Sequence, residues 1–473
     1  MKRIAAGALA LLGLHCASPA ASGPAPVGPE AGFLEVPARD VTLAGKPVSL
    51  AETARLFYNL RPADDDPADK PILILFNGFA DDMVRPYGTG PTTVVEGGAV
   101  VANPSSFTRF ANLVYVEPRQ AGYSYDLRAG GELPSDLAAD CAPTVFNEYV
   151  DAADVLLAVL AFLDAHPDLT GPVYWLGESY GGVRVTWILA YLRDRFDLAG
   201  YADPVLAQRL AAVTRPASLR AGQILLEGWL AGLAQNEAIQ AECTDPVQIA
   251  AVAAATGAPC TGGDACLCTD AAGNSLYNFA YSTGRQVERV LEADQAHTLP
   301  DRAAAMLGLP LTSIPLLAAS ERAQGFKCSP PDATVPPEDG LVAALGALPA
   351  GQSYFIPYSP LLPGKETVPT TADWYSQNTE ALAFVDNLHD VPAFLTRGDH
   401  DLVVPTRSLA PALGAMLGAA RVDTSAPGRI GVSYPDGPHF VDVFDYPTAG
   451  HMISMLEPAQ LATDLAAWLA AHP

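Results

Sequence analysis

Two apolar runs of different period meet across six residues. Val173-Tyr174-Trp175-Leu176 is a continuous apolar run of the kind found in a strand buried on both faces, and residues 183–195 carry helical spacing. Between them stands Gly177-Glu178-Ser179-Tyr180-Gly181. A chain that must change from strand to helix over so short a stretch turns sharply, and the turn strains the backbone of its middle residue. Glycines two before and two after leave room for that close approach. The hydroxyl of Ser179 is then expected at the C-terminal edge of a sheet and at a helix N-terminus, where developing negative charge is favoured.

The same alternation extends in both directions. Strand-like runs fall at residues 55–60, 71–76, 113–116, 224–226, 393–396 and 440–444, and a polar turn at 62–70. Helical spacing occupies residues 146–163 and 458–471. Strands and helices in this order imply a doubly wound, mostly parallel sheet with helices on both faces. A G-x-S-x-G turn in that setting is the nucleophile elbow of an α/β-hydrolase fold. Residues 231–388 break the pattern: they are rich in proline and hold five of the six cysteines that follow Cys16, and they read as a cysteine-containing cap insertion. The expected organisation is therefore a signal peptide at 1–22, a linker at 23–32, a core at 33–230, the cap at 231–388, and the rest of the core at 389–473.

A serine hydroxyl is a weak nucleophile without a base. In this fold the acid and the histidine follow the serine in chain order. After the run at 393–396 comes Arg397-Gly398-Asp399-His400-Asp401, and after 440–444 comes Ala449-Gly450-His451-Met452. His451 is the best placed base of the eight histidines. His400 and His439 read as structural or substrate-lining. Spacing leaves Asp399 and Asp401 both open; Asp401 is chosen, with Asp399 in support.

Several segments together resemble the serine carboxypeptidase family. The carriers are Glu178-Ser179-Tyr180-Gly181-Gly182, Leu56-Phe57-Tyr58, Asn103-Pro104-Ser105-Ser106-Phe107, Ala111-Asn112-Leu113-Val114-Tyr115, and Pro118 with Gly122-Tyr123-Ser124-Tyr125. Gly398-Asp399 with Asp401, Val404 and Pro405, and the segment 449–452, complete the set in the same order. The resemblance implies a triad of Ser179, Asp401 and His451 that hydrolyses C-terminal peptide bonds through an acyl-enzyme. It implies an oxyanion hole from the N–H groups of Phe79 and Tyr180. It also implies that Asn77 and Glu178 grip the substrate carboxylate, with Glu178 sharing a proton with it, which favours binding at acidic pH.

Two departures bear on that reading. Where the family has N-G-G-P-G, this chain has Asn77-Gly78-Phe79-Ala80-Asp81; a side chain at Phe79 leaves its N–H in place but makes positive φ costlier. A second family glutamate, in an E-x-G-P stretch, falls on Gly88 of Gly88-Thr89-Gly90-Pro91. Arg85 lies nearby and could hold a carboxylate with its fork of donors. An esterase or acyltransferase on the same scaffold is the first rival, and a non-catalytic surface binding protein the second.

Composition narrows the partners. With 27 Lys+Arg against 52 Asp+Glu the formal net charge is −25, which opposes nucleic acid and anionic lipid. The expected partner is a peptide or protein substrate. The start, Lys2-Arg3 followed by an apolar run to Leu14 and then small residues, reads as an export signal. Cys16 sits where a bacterial lipoprotein is lipidated, but Gly13 and His15 fit that pattern poorly, so secretion, a periplasmic location and lipid anchoring all stay open. The other six cysteines suit disulfides in an oxidising compartment. Cys260, Cys266 and Cys268 lack C-x2-C pairs and have no histidine nearby in sequence, which argues against a metal at that cluster. No cofactor and no metal site is expected.

Overall fold

The computed structural model describes residues 27–43, 45–76, 88–95, 99–119, 124–127, 148–226, 309, 379–398, 409–447, 449 and 453–473. All seven cysteines, the export signal, Asn77, Phe79, Arg85, Asp399, Asp401 and His451 lie outside these residues, as does nearly all of the cap.

Sixteen strands are described. In chain order they are β1 Glu30–Val36, β2 Arg39–Leu43, β3 Lys46–Leu50, β4 Thr53–Arg61, β5 Ile72–Phe76, β6 Thr92–Val95, β7 Ala99–Ala102 and β8 Asn112–Val116. Then follow β9 Tyr125–Leu127, β10 Val173–Glu178, β11 Tyr201–Ala202, β12 Gly222–Leu226, β13 Ala393–Gly398, β14 Val422–Asp423, β15 Arg429–Tyr434 and β16 Gly437–Tyr446. The helices used below are α1 Glu148–Ala165, α2 Gly181–Leu192, α3 Pro204–Ala211, α4 Thr379–Leu388, α5 Leu409–Leu417, α6 Ile453–Leu456 and α7 Pro458–Ala471.

The main sheet runs β1-β4-β8-β5-β10-β12-β13-β16-β15-β14, with β9 paired to β4. The six central strands, β8 to β16, are mutually parallel, and antiparallel strands flank them on both sides. The expected doubly wound sheet is present. Its centre is apolar on both faces because both are covered. Ile72, Ile74 and Phe76 point into one core with Trp175, α1 and α2. Leu73 and Leu75 point into the other with Tyr174, Leu176, Phe107 and Trp468 of α7. A period of two within an unbroken apolar run thus divides one strand between two cores.

Two boundaries differ from the sequence reading. β1 starts at Glu30, inside the stretch read as linker, and pairs along its whole length with β4. Its own apolar signal is weak, and a partner far along the chain completes it. α4 lies within the stretch read as cap but belongs to the core: Asn387 Nδ2 donates to Thr186 O of α2 at 2.9 Å, and Phe384 and Leu388 are buried. The predicted helix at 458–471 is found at those limits.

Among the described residues no helix is long and apolar enough to cross a membrane.

Candidate active site

The turn between β10 and α2 has the shape that the residue pattern demands. Ser179 has φ of +56°, in the left-handed region that a side chain enters at a cost of about 1–3 kcal/mol. Its N–H donates to Leu226 O of the neighbouring β12 at 3.1 Å, and its carbonyl accepts from Gly182 N at 2.9 Å. The turn is therefore tied both to the sheet and to the helix that follows. A Cβ on Gly177 would lie 2.2 Å from Gly181 O, so the first glycine is required by the close approach of helix to strand. Ser179 is 8% exposed, at the C-terminal end of a parallel strand. Tyr180 is the N-cap of α2, with φ −55° and ψ −22°, so its N–H lies at the helix N-terminus.

Glu178, the last residue of β10, is fully buried and accepts from Ser454 Oγ of α6 at 3.4 Å. The same serine crowds Gly88, the position on which the resemblance places a second glutamate. A Cβ on Gly88 would lie 2.9 Å from both Ser454 O and Ser454 Oγ. The space where a side chain would begin is filled by α6. Gly88 is held from the other side by Asn103, whose Nδ2 donates to Gly88 O at 3.2 Å and to Gly90 O at 2.8 Å.

Other shared motif residues prove to be scaffold. Ser124 Oγ accepts from Phe57 N at 2.8 Å and donates to Glu117 O at 3.0 Å, joining two of the motifs. Asn112 Oδ1 accepts from Ala63 N at 3.0 Å. Ser106 Oγ caps a short 3-10 turn by accepting from Thr108 N at 3.2 Å.

A buried ion pair lies under the turn. Arg184 Nε donates to Asp151 Oδ2 of α1 at 2.8 Å, and neither side chain meets solvent. The guanidinium Cζ stands 5.3 Å from the Phe76 ring centroid and 5.4 Å from that of Tyr180. It thus contacts the residue after the nucleophile and the last residue of β5, beyond which come Asn77 and Phe79. Burial pushes the Asp151 carboxyl up to about 6, although Arg184 pulls the other way. Arg184, Asp151 and Ser454 belong to none of the motifs described above. A lone arginine in the otherwise apolar helix 181–192 is a signal for the first two, since a buried guanidinium requires a partner. Nothing nearby in sequence marks Ser454.

The structure brings Glu178, Ser179, Tyr180 and Ser454 together. It puts His439 elsewhere. Val441 of β16 pairs with Ala393 at the start of β13, so His439 lies at the N-terminal edge of the parallel sheet, opposite Ser179. A substrate-lining role for His439 is excluded by that placement.

A mostly parallel sheet with a strained G-x-S-x-G turn at its C-terminal edge defines an α/β hydrolase. Residues 22–197 match the profile of the serine carboxypeptidase family, and over that stretch the kinship read from the motifs is borne out. A curated relative from Dictyostelium discoideum, serine carboxypeptidase S10 family member 1, is 26% identical over 154 residues, which is 31% of this chain and 34% of the relative. The chain thus spans about a third of the length of that relative. Among solved structures, a prohormone-processing carboxypeptidase from Saccharomyces cerevisiae superposes with a TM-score of 0.53 at 11% identity, covering 94% of this chain and 91% of the other. That likeness shows the shared fold.

Proposed function

We propose that this chain is an exported serine-type carboxypeptidase that hydrolyses C-terminal peptide bonds. The observation that carries the reading is Ser179, held at positive φ between β10 and α2 with buried Glu178 beside it, within the stretch that matches the family. In the proposed mechanism Ser179 Oγ attacks the scissile carbonyl as His451 takes its proton, and Asp401 orients and stabilises the imidazolium. The N–H groups of Phe79 and Tyr180 receive the oxyanion. His451 then returns the proton to the leaving amine, and water repeats the sequence on the acyl-enzyme. Asn77, Glu178 and Arg85 grip the terminal carboxylate. Cleavage outside the cell fits an export signal and a cysteine-braced cap.

A second reading, esterase or acyltransferase, has its own observation. Ser454 fills the space at Gly88, where the resemblance would place a carboxylate. A fluorophosphonate probe followed by paired assays separates the readings. Labelling of the wild type but not of Ser179→Ala, with hydrolysis of an N-blocked dipeptide, is expected. Labelling with turnover of a short acyl ester alone points to the esterase, and a folded chain that takes no label points to a binding protein. In the same assay Arg85→Ala is expected to raise KM for peptides with free C-termini and to leave amidated ones unchanged.

A further inference from the structure

Three metal-type donors from two distant stretches meet at the edge of the sheet opposite Ser179. His389 follows α4, while Asp436 lies in the turn between β15 and β16 and His439 near the start of β16. His389 Nε2 is 3.2 Å from Asp436 Oδ2, and His439 Nε2 is 3.4 Å from the same oxygen. All three donor atoms lie within 4.8 Å of one another.

The imidazoles are set by packing. Their rings stack at 5.0 Å and 24°, and Tyr434 meets both edge-on, at 5.6 Å to His389 and 4.8 Å to His439. Tyr434 in turn donates its hydroxyl to Val385 O of α4, which fastens the shelf to the helix that ends just before His389. Asp390 does not compete as a ligand, because Arg193 and Arg220 hold it at 2.8 and 2.7 Å. The three donor side chains are 46%, 53% and 27% exposed in chain order, so an ion can reach them from solvent.

Tetrahedral zinc with nitrogen and oxygen ligands at about 2.0–2.1 Å has ligand-to-ligand edges of about 3.3–3.4 Å. The two nitrogen–oxygen separations lie close to those edges, and the third pair of donors, already within 4.8 Å, closes by a small shift of the more exposed His389 ring. Two imidazoles and one carboxylate suit a borderline-soft divalent ion; calcium and magnesium want six or more ligands, mainly oxygen. We propose that His389, Asp436 and His439 bind a divalent transition-metal ion of the zinc class, with a fourth position open to water. The ion pins the connection into β13 to the turn that begins β16, so its role is to stabilise the fold. It takes no part in acyl transfer.

The test is calorimetric titration of the EDTA-stripped full chain with Zn²⁺, beside His389→Ala, His439→Ala and Asp436→Asn. The wild type is expected to bind one equivalent at micromolar affinity or tighter. Each variant is expected to lose more than the about 10–100-fold that loss of even an outer-shell partner costs. Metal-free melting of the variants checks that they fold. Should one fail to, Co²⁺ on the wild type decides alone: tetrahedral d–d bands without thiolate charge transfer support the site. Equal Zn²⁺ affinity in wild type and variants, no micromolar binding, or thiolate bands from the cysteines would overturn it.

Discussion

Ser179 and Gly88 show two ways in which one position constrains the chemistry around it. At Ser179 the strain of positive φ is paid for by hydrogen bonds to Leu226 and Gly182, so the hydroxyl is held out by fixed backbone. At Gly88 the constraint is volume. Because a Cβ there meets the backbone and hydroxyl of Ser454 at 2.9 Å, adding back the family carboxylate forces α6 aside. Gly88→Glu is therefore expected to lower stability by about 1–3 kcal/mol, the usual cost of overpacking. It is also expected to leave KM for free C-terminal peptides no better than wild type. Melting and paired peptide kinetics check both, and a stable variant with a lower KM would show the site to be more plastic than its packing. The glycines were legible in sequence; the reason for Gly88 was not, because Ser454 lies hundreds of residues away.

On the scale of elements, α1 carries two buried aspartates one turn apart that respond to pH in opposite senses. Burial raises Asp151 from 3.8 to about 6. Its contribution to stability is thus complete below about pH 3.8 and is lost as pH rises through about 6, a fall on the order of 3 kcal/mol. Burial would raise Asp154 too, but the Arg119 and Arg39 guanidiniums overcome it and hold this carboxyl below the ordinary range. Its contribution is present above that range and is lost on acidification. In Asp151→Asn the fall between about pH 4 and 6 is expected to disappear, while stability at pH 7 drops because Arg184 keeps its charge without a carboxylate. Urea unfolding across that pH range checks this; an unchanged pH slope would refute it. The helical period at 146–163 was readable, but not that nearly every face of α1 is covered, including the one bearing both carboxylates.

Across the whole molecule, Arg39 joins parts that the sequence keeps apart. From β2 its Nη2 reaches Asp154 Oδ1 of α1 at 2.6 Å, and its Nε reaches Asp203 Oδ2 at 2.6 Å. Asp203 also caps α3 by accepting from Leu206 N at 2.9 Å. Arg119 closes the network through Asp154 at 2.6 Å and Asp126 at 2.8 Å. Arg39→Met takes the guanidinium from buried Asp203 and one of two from Asp154, so a loss of about 3–5 kcal/mol is expected, with the acid-unfolding midpoint moved to higher pH. Chemical and acid denaturation measure the two effects, and an unchanged midpoint would show that Arg119 alone holds Asp154.

What the sequence by itself determined was whatever rests on neighbours in the chain. Apolar period set the central strands β5, β8, β10, β12 and β13 and the helices α1, α2 and α7, and the glycine spacing around Ser179 set the elbow, because strand, turn and helix are local choices. The tertiary structure alone decided what depends on partners brought together from afar. β1 became a strand through β4, α4 joined the core through Thr186, and Ser454 took the space beside Gly88. Likewise His389 met Asp436 and His439 although nothing local marks them as partners. The cysteine spacing speaks only for Cys260, Cys266 and Cys268, whereas His389 reaches Asp436 and His439 only when the sheet edge forms.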